Sequence, residues 1–105
     1  MSSKRQNPQP FAPVCGEVYE NAGGGRYLCE SRDGTERSAW FTNVASGWHC
    51  LAKGIVRYED GTIEWDRSTG GHFVPMDENR QEAIERATIR SKQRSIVNAM
   101  LCCLI

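Results

Sequence analysis

The sequence has no excess of charge, because thirteen lysines and arginines balance thirteen aspartates and glutamates. Without a net field, the chain as a whole is not drawn to nucleic acid or to an acidic membrane, and either would need a local patch. Long apolar runs are also missing, since no window approaches the roughly 20 residues of a membrane-spanning helix. The first residues lack the apolar stretch of a secretory signal. We therefore expect a cytoplasmic protein with no membrane partner.

Paired cysteine motifs are absent as well. The five cysteines show no CxxC spacing and their number is odd, which argues for reduced thiols rather than a disulfide framework. Zinc sites usually take two ligands from one such close pair. His49 and Cys50 are neighbours on a predicted strand and so face opposite ways. We predict no metal site and no other cofactor.

What the sequence does contain is a series of short, aromatic-rich strands separated by glycine turns. Alternation predicts five strands, at residues 16–21, 26–31, 38–44, 48–59 and 62–66. The turns between them contain glycine, at residues 22–25, 33–34, 46–47 and 60–61. Gly54, inside the long fourth strand, indicates a bulge or a sharp bend.

This pattern favours a mainly β (α+β) fold, a small five-stranded SH3-like β-barrel with a C-terminal α-helix. An OB-like barrel, or an open bent antiparallel sheet packed by the helix, is the alternative. Three of the four prolines fall in residues 1–13, which we predict to be a flexible arm. Residues 14–74 form the predicted barrel domain.

Residues 75–105 form the predicted helix. Asp77 is the expected N-cap, with Glu78 in the first turn, where the helix dipole favours an acidic side chain. From Ile96 to Ile105 only Asn98 is polar, so we expect this end to pack on the barrel or on a second copy, which would form a homodimer. The last four residues, CCLI, also match a prenylation motif, and this alternative stays open.

Four segments carry a resemblance to a known group: EVYENAGGGRY (17–27), NVASGW (43–48), YEDGTIEWD (58–66) and STGGHF (68–73). They are similar to short proteins, without an assigned activity, of phages and mobile elements of gut Firmicutes. The resemblance covers residues 16–74 and neither end of the chain. It implies a bacterial or phage origin and an accessory role, such as interaction with a host component.

Catalysis is not favoured by any motif. Asp66, Ser68 and His72 are the residue types of a nucleophilic triad, but no nucleophile elbow or oxyanion motif accompanies them. We predict no catalytic residue and no enzyme. The glycine clusters at 23–26 and 68–72 could hold a small anionic, nucleotide-like ligand in a backbone nest. Neither cluster matches a phosphate-binding motif, so tight turns are the simpler interpretation.

Aromatic rings interleaved with arginines are the strongest functional signal. All the aromatic residues except Phe11 lie between Tyr19 and Phe73, and a small barrel leaves some of them at its surface. Such surfaces grip peptides or stack bases. We predict a protein-binding module whose site uses a loop at 68–73 and the strand beside it, with Arg57, Tyr58, Arg67, Ser68 and His72. Nucleic-acid binding is the alternative, with contacts from Arg26, Lys53, Arg90, Lys92 and Arg94.

Overall fold

The computed structural model of the chain describes residues 7–32 and 37–104, and their side chains up to residue 94. This part of the chain contains eight strands and one helix. In chain order they are β1 (Gln9–Pro10), β2 (Val18–Glu20), β3 (Arg26–Arg32), β4 (Ser38–Asn43), β5 (Trp48–Lys53), β6 (Val56–Arg57), β7 (Ile63–Glu64), β8 (Arg67–Phe73) and α1 (Glu78–Leu104). The predicted turn at Asp33 and Gly34 lies outside the described residues.

The strands form two antiparallel sheets. The first has five strands in the order β2-β3-β4-β5-β8, and the second has three in the order β1-β6-β7. The prediction of a mainly β fold with one C-terminal helix is confirmed. The described strands do not close into a barrel, because β8 pairs with β5 and has no registered partner among them on its other side.

Gly54 is where the chain passes from the first sheet to the second. The predicted strand 48–59 is in fact two strands, β5 and β6, and Gly54 between them has a φ of +72°. The predicted bend is thus confirmed, since glycine adopts this left-handed conformation at little cost. A Cβ added at Gly54 would also lie 2.8 Å from the Cβ of Asp66. Both the backbone conformation and the close approach require glycine here.

Part of the predicted flexible arm belongs to the second sheet. Gln9 pairs in register with Arg57, and the Phe11 amide donates to the carbonyl of Ile55 over 3.1 Å. The Phe11 ring meets Tyr19 edge-on with centroids 5.4 Å apart, and the Arg57 guanidinium lies 5.0 Å from the Phe11 centroid. These aromatic and cation–π contacts anchor residues 9–11, which composition alone placed in solvent.

The apolar core lies on one face of the first sheet, with residues of the corner and of β7 packed into it. Its buried members are Cys29, Ala39, Phe41, Ala52, Ile55 and Ile63. Trp65 covers Phe41 in a stacked arrangement with centroids 5.3 Å apart. Trp65 thus packs against the core, whereas the other two tryptophans lie at the β8 edge described below.

The helix lies on the opposite face of the first sheet. The Arg80 amide donates to Oδ1 of Asp77 over 3.0 Å, which confirms Asp77 as the N-cap. Ala87 of the helix is buried, at 3% exposed, whereas Ser91, one turn further along, is exposed. The predicted packing of Ile96 to Ile105 lies outside the described side chains. Within the part of the chain that the structure describes, no helix is both long and apolar enough to cross a membrane.

Gly54→Ala should lower the free energy of unfolding by about 2–4 kcal/mol. The substitution forces a left-handed conformation on alanine and adds an overlap with Asp66. Chemical denaturation measures the change. Gly23→Ala is the matched control, because Gly23 has no positive φ and its added Cβ would meet nothing nearer than 3.7 Å. Equal stability of the two variants would show that the corner tolerates a side chain.

Candidate functional site

β8 is the exposed edge of the first sheet. It pairs with β5 from Lys53 opposite Arg67 to Trp48 opposite Phe73, and all seven of its residues are exposed. The prediction of a loop at 68–73 is therefore wrong. Thr69 pairs with Leu51 and His72 with His49, so Gly70 and Gly71 together face one residue of β5. The two residues form a bulge in which Gly70 has a φ of +68°. Because of this bulge the strand contains two adjacent glycines, a pattern that is more typical of a turn.

The two glycines of the bulge allow tryptophan rings to lie against β8. A Cβ added at Gly70 would lie 3.1 Å from Cη2 of Trp40, and one at Gly71 would overlap Cζ2 of Trp48. Trp48 also meets Phe73 edge-on with centroids 5.0 Å apart. Trp48 is 39% exposed and Phe73 is 68% exposed. The edge strand is thus flanked by aromatic surface that solvent reaches.

A chain of polar contacts runs from the helix through the sheet to this edge. The guanidinium of Arg80 donates two hydrogen bonds to the Glu30 carboxylate, from Nε to Oε2 over 2.7 Å and from Nη2 to Oε1 over 3.2 Å. The hydroxyl of Thr42 donates to Oε2 of Glu30 over 2.5 Å and lies 2.8 Å from Nδ1 of His49. Thr42 is fully buried, so these two contacts replace water for its hydroxyl group.

The charge state of Glu30 determines which groups donate and which accept in these hydrogen bonds. Burial raises the pKa of the Glu30 carboxyl, but the hydrogen bonds from Arg80 and Thr42 and the charge of Arg80 outweigh it, so the pKa is lowered. The carboxylate is therefore ionised at neutral pH and can only accept. Thr42 has one hydroxyl proton, which goes to Glu30, so the Thr42 oxygen must accept from Nδ1 of His49.

His49 is consequently held as the tautomer with its proton on Nδ1 and a lone pair on Nε2. Burial lowers the pKa of His49, and the charges of His72 and Arg80 act in the same direction against the opposing effect of Glu30. The His49 ring stacks on Trp40 with centroids 5.0 Å apart and an interplanar angle of 9°. A hydrogen bond and a ring stack together orient this imidazole.

His72 reaches the same tautomer by a different contact. Its Nδ1 lies 2.9 Å from the carbonyl oxygen of Gly70, and a carbonyl can only accept, so Nδ1 carries a proton, and in the neutral ring the lone pair is then on Nε2. His72 is opposite His49 in register, and the two ring centroids lie 5.3 Å apart at an interplanar angle of 68°. The two imidazoles therefore sit side by side across β5 and β8.

The structure brings together some of the predicted site residues and separates others. Arg67, Ser68 and His72 share β8, and Lys53, predicted as a nucleic-acid contact, is opposite Arg67. Arg57 belongs to the second sheet, where it lies over Phe11 and donates to the Gly61 carbonyl over 3.3 Å. Tyr58 closes the adjacent turn, its amide donating to Thr62. Neither forms part of the β8 edge.

Most of the other predicted nucleic-acid contacts lie where the helix meets the sheet. Arg90 and Arg94 both pair with Glu17, at 3.2 and 3.1 Å. Arg26 donates to the Thr88 hydroxyl over 3.4 Å, whereas Lys92 is exposed on the helix. Two of the five residues therefore form ion pairs that attach α1 to the sheet.

The cysteines take no part in the β8 edge surface. Cys29 and Cys50 are buried and Cys15 is exposed, and all three are free thiols. Burial, followed by the neighbouring Cys15, raises the pKa of Cys29 to about 12. Among the described residues, no group of three or more histidine, cysteine, aspartate or glutamate side chains could hold a metal ion.

Sequence reasoning missed Glu30, Trp40, Thr42 and His49 as parts of one arrangement. Alternation on the predicted strand 38–44 places Trp40 and Thr42 on one face, and that signal was available. The cross-strand neighbours Glu30, His49 and His72 could not be read from it. Comparison of the chain with protein-family models, curated proteins and solved structures finds no match. The resemblance to phage and mobile-element proteins stays a prediction.

The ion pair of Glu30 predicts an acid-dependent stability. Because the folded pKa of Glu30 is lowered, its contribution is present above the unfolded pKa of about 4.3 and is lost as the pH falls through the folded value. Denaturation at a series of pH values below 5 should show a steeper loss of stability for the parent than for Glu30→Gln. Glu82→Gln is the control, since the Glu82–Arg86 pair is exposed. Parallel curves for the parent and Glu30→Gln would contradict this assignment.

Proposed function

We propose that the protein is a small non-enzymatic module that binds an extended segment of another protein along β8. The observation that carries this proposal is the seven-residue exposed strand, whose one registered partner among the described strands is β5. The other side of β8 presents its backbone N–H and C=O groups, which a further strand can pair with. In this mode of recognition the main chain supplies affinity and side-chain contacts supply specificity.

The positive charges at one end of β8 indicate that the bound segment carries an acidic side chain. Lys53 and Arg67 are directly opposite each other, an arrangement that is unfavourable for two like charges. Within residues 7–32 and 37–94 no ion pair between either side chain and a carboxylate is observed. An acidic side chain on the bound segment would relieve the repulsion. At the other end, Trp48 and Phe73 offer an exposed apolar contact.

The same charge pair argues against a second copy as the occupant of this edge. If two copies paired through β8, each would bring its own Lys53–Arg67 pair of positive charges. Neither copy would supply a carboxylate to neutralise them, because β8 contains no acidic residue. Positive charges on an edge strand are a common device that prevents self-pairing. A segment of different sequence that carries an acidic residue would neutralise these positive charges, so it fits this edge better than a second copy.

The two alternative functions find less support. For nucleic acid, Arg90 and Arg94 are already paired with Glu17, which reduces the basic surface of the helix. For a small anion, the glycine turn at 22–25 uses its amides internally: Gly24 donates to the Asn21 carbonyl and Gly25 to the Asn21 side chain. The other glycine cluster lies in β8.

Two further expectations belong to this proposal. At Gly54 the chain bends sharply and continues from the first sheet into the second. This corner supports a relationship to SH3-like barrels. The resemblance to phage and mobile-element proteins favours a host protein as the partner and a cytoplasmic location. The binding mode argued from β8 does not depend on either expectation.

Selection of displayed random peptides against the full chain tests the proposal. We expect enriched peptides to combine an acidic residue with an apolar one, and hydrogen exchange to slow at the amides of β8 when they bind. Arg67→Glu should weaken binding about tenfold or more, because interface arginines often carry a large share of the binding energy. Calorimetry with a synthetic peptide measures the change.

Lys92→Glu is the matched control, since Lys92 is an exposed cation on the helix. It should leave peptide affinity unchanged. Protection confined to the helix or to the second sheet would refute β8 as the site. An equal loss in both variants, together with a steep salt dependence for oligonucleotides, would favour nucleic-acid binding instead.

A further inference from the structure

The chain has two histidines, and the fold places them next to each other. They are separated by more than twenty residues in the sequence, yet His49 and His72 form a registered cross-strand pair. Their ring centroids are 5.3 Å apart. His49 is half-buried against the sheet, and His72 is exposed on the edge strand.

Both imidazoles have the proton on Nδ1 held by a protein acceptor. His49 donates to the Thr42 hydroxyl, which in turn donates to Glu30, and His72 donates to the Gly70 carbonyl. No hydrogen bond from a described residue to Nε2 of either ring is observed. This is the usual arrangement around a metal-binding histidine, whose other ring nitrogen donates to a carboxylate, carbonyl or similar acceptor that fixes its tautomer.

We propose that His49 and His72 form a two-histidine site, through Nε2 of each ring, for a divalent transition-metal ion. Imidazole suits Zn²⁺, Ni²⁺ and Cu²⁺ in particular. The ring separation fits this chemistry. With a metal–nitrogen distance of about 2.0–2.1 Å and a ring radius of about 1.1 Å, each centroid would lie about 3.2 Å from a shared ion. Centroids 5.3 Å apart then subtend about 110° at that ion, close to the tetrahedral angle.

The surroundings hold His49 ready for such an ion. Its ring lies flat on Trp40, and Trp40 can take that place because Gly70 has no side chain to obstruct it. The Thr42 hydroxyl, which is held by Glu30 and through it by Arg80, also fixes the imidazole at Nδ1. Since no group of three or more suitable side chains occurs within the described residues, the remaining coordination positions would be filled by water or by a bound molecule. The site does not depend on the peptide-binding proposal. It departs from the sequence-based prediction of no metal, which stays a prediction.

Titration of the full chain with Zn²⁺ and with Ni²⁺, under reducing conditions, tests the site. Calorimetry should give one ion per chain, and Ni²⁺ should quench tryptophan fluorescence because Trp40 stacks on His49. His72→Gln should weaken binding at least tenfold without changing the melting temperature of the metal-free protein, since His72 is exposed. The double variant His49→Gln, His72→Gln should abolish the site, because no other histidine remains.

Thr42→Val tests the positioning role of the hydroxyl. Removing it should weaken metal binding by about 10–100-fold, the usual effect of losing an outer hydrogen-bond partner. If this buried variant does not fold, His72→Gln still decides the question. Unchanged affinity in His72→Gln would overturn the proposal. So would a thiolate charge-transfer band with Co²⁺ that persists in the double variant, because the ion would then bind the cysteines.

Discussion

The ion pair between Glu30 and Arg80 is the interaction on which the arrangement of this molecule depends. A partly buried carboxylate is costly unless it is paired and its remaining lone pairs are satisfied. Arg80 meets Glu30 with two hydrogen bonds and Thr42 supplies a third. The pair therefore attaches the first turns of α1 to β3, and it also determines which way the Thr42 hydroxyl points.

Attachment of the helix at that position divides one face of the first sheet into two halves. Arg80, Arg90 and Arg94 tie α1 to Glu30 and Glu17, at β3 and just before β2. The half formed by β4, β5 and β8 carries Trp40, His49 and His72 instead. These three arginines of the helix thus act as structural anchors. The aromatic and imidazole rings are left at the surface.

The edge strand combines features that restrain self-association with features that suit recognition. Its bulge at Gly70 and Gly71 and its positive end at Arg67 are both devices that discourage pairing with a copy. The same positive end would favour the acidic segment that we propose as the partner. The same glycines admit Trp40 and Trp48 to its two faces. Both groups of features support our proposal that β8 binds a different chain.

The sequence by itself determined the features that depend on local conformation. Alternating residues predicted β2 to β5 of the first sheet, Asp77 was recognisable as an N-cap, and Gly54 marked the corner, because each depends on a few adjacent residues. Only the tertiary structure decided the contacts between distant segments. Gly70 and Gly71 look like a turn until β5 supplies a partner, and Phe11 looks like part of an arm until Tyr19 and Arg57 meet it. The pairing of His49 with His72 depends on a strand register that includes this bulge. Register is set by the packing of the whole sheet, so no local pattern could place the two imidazoles together.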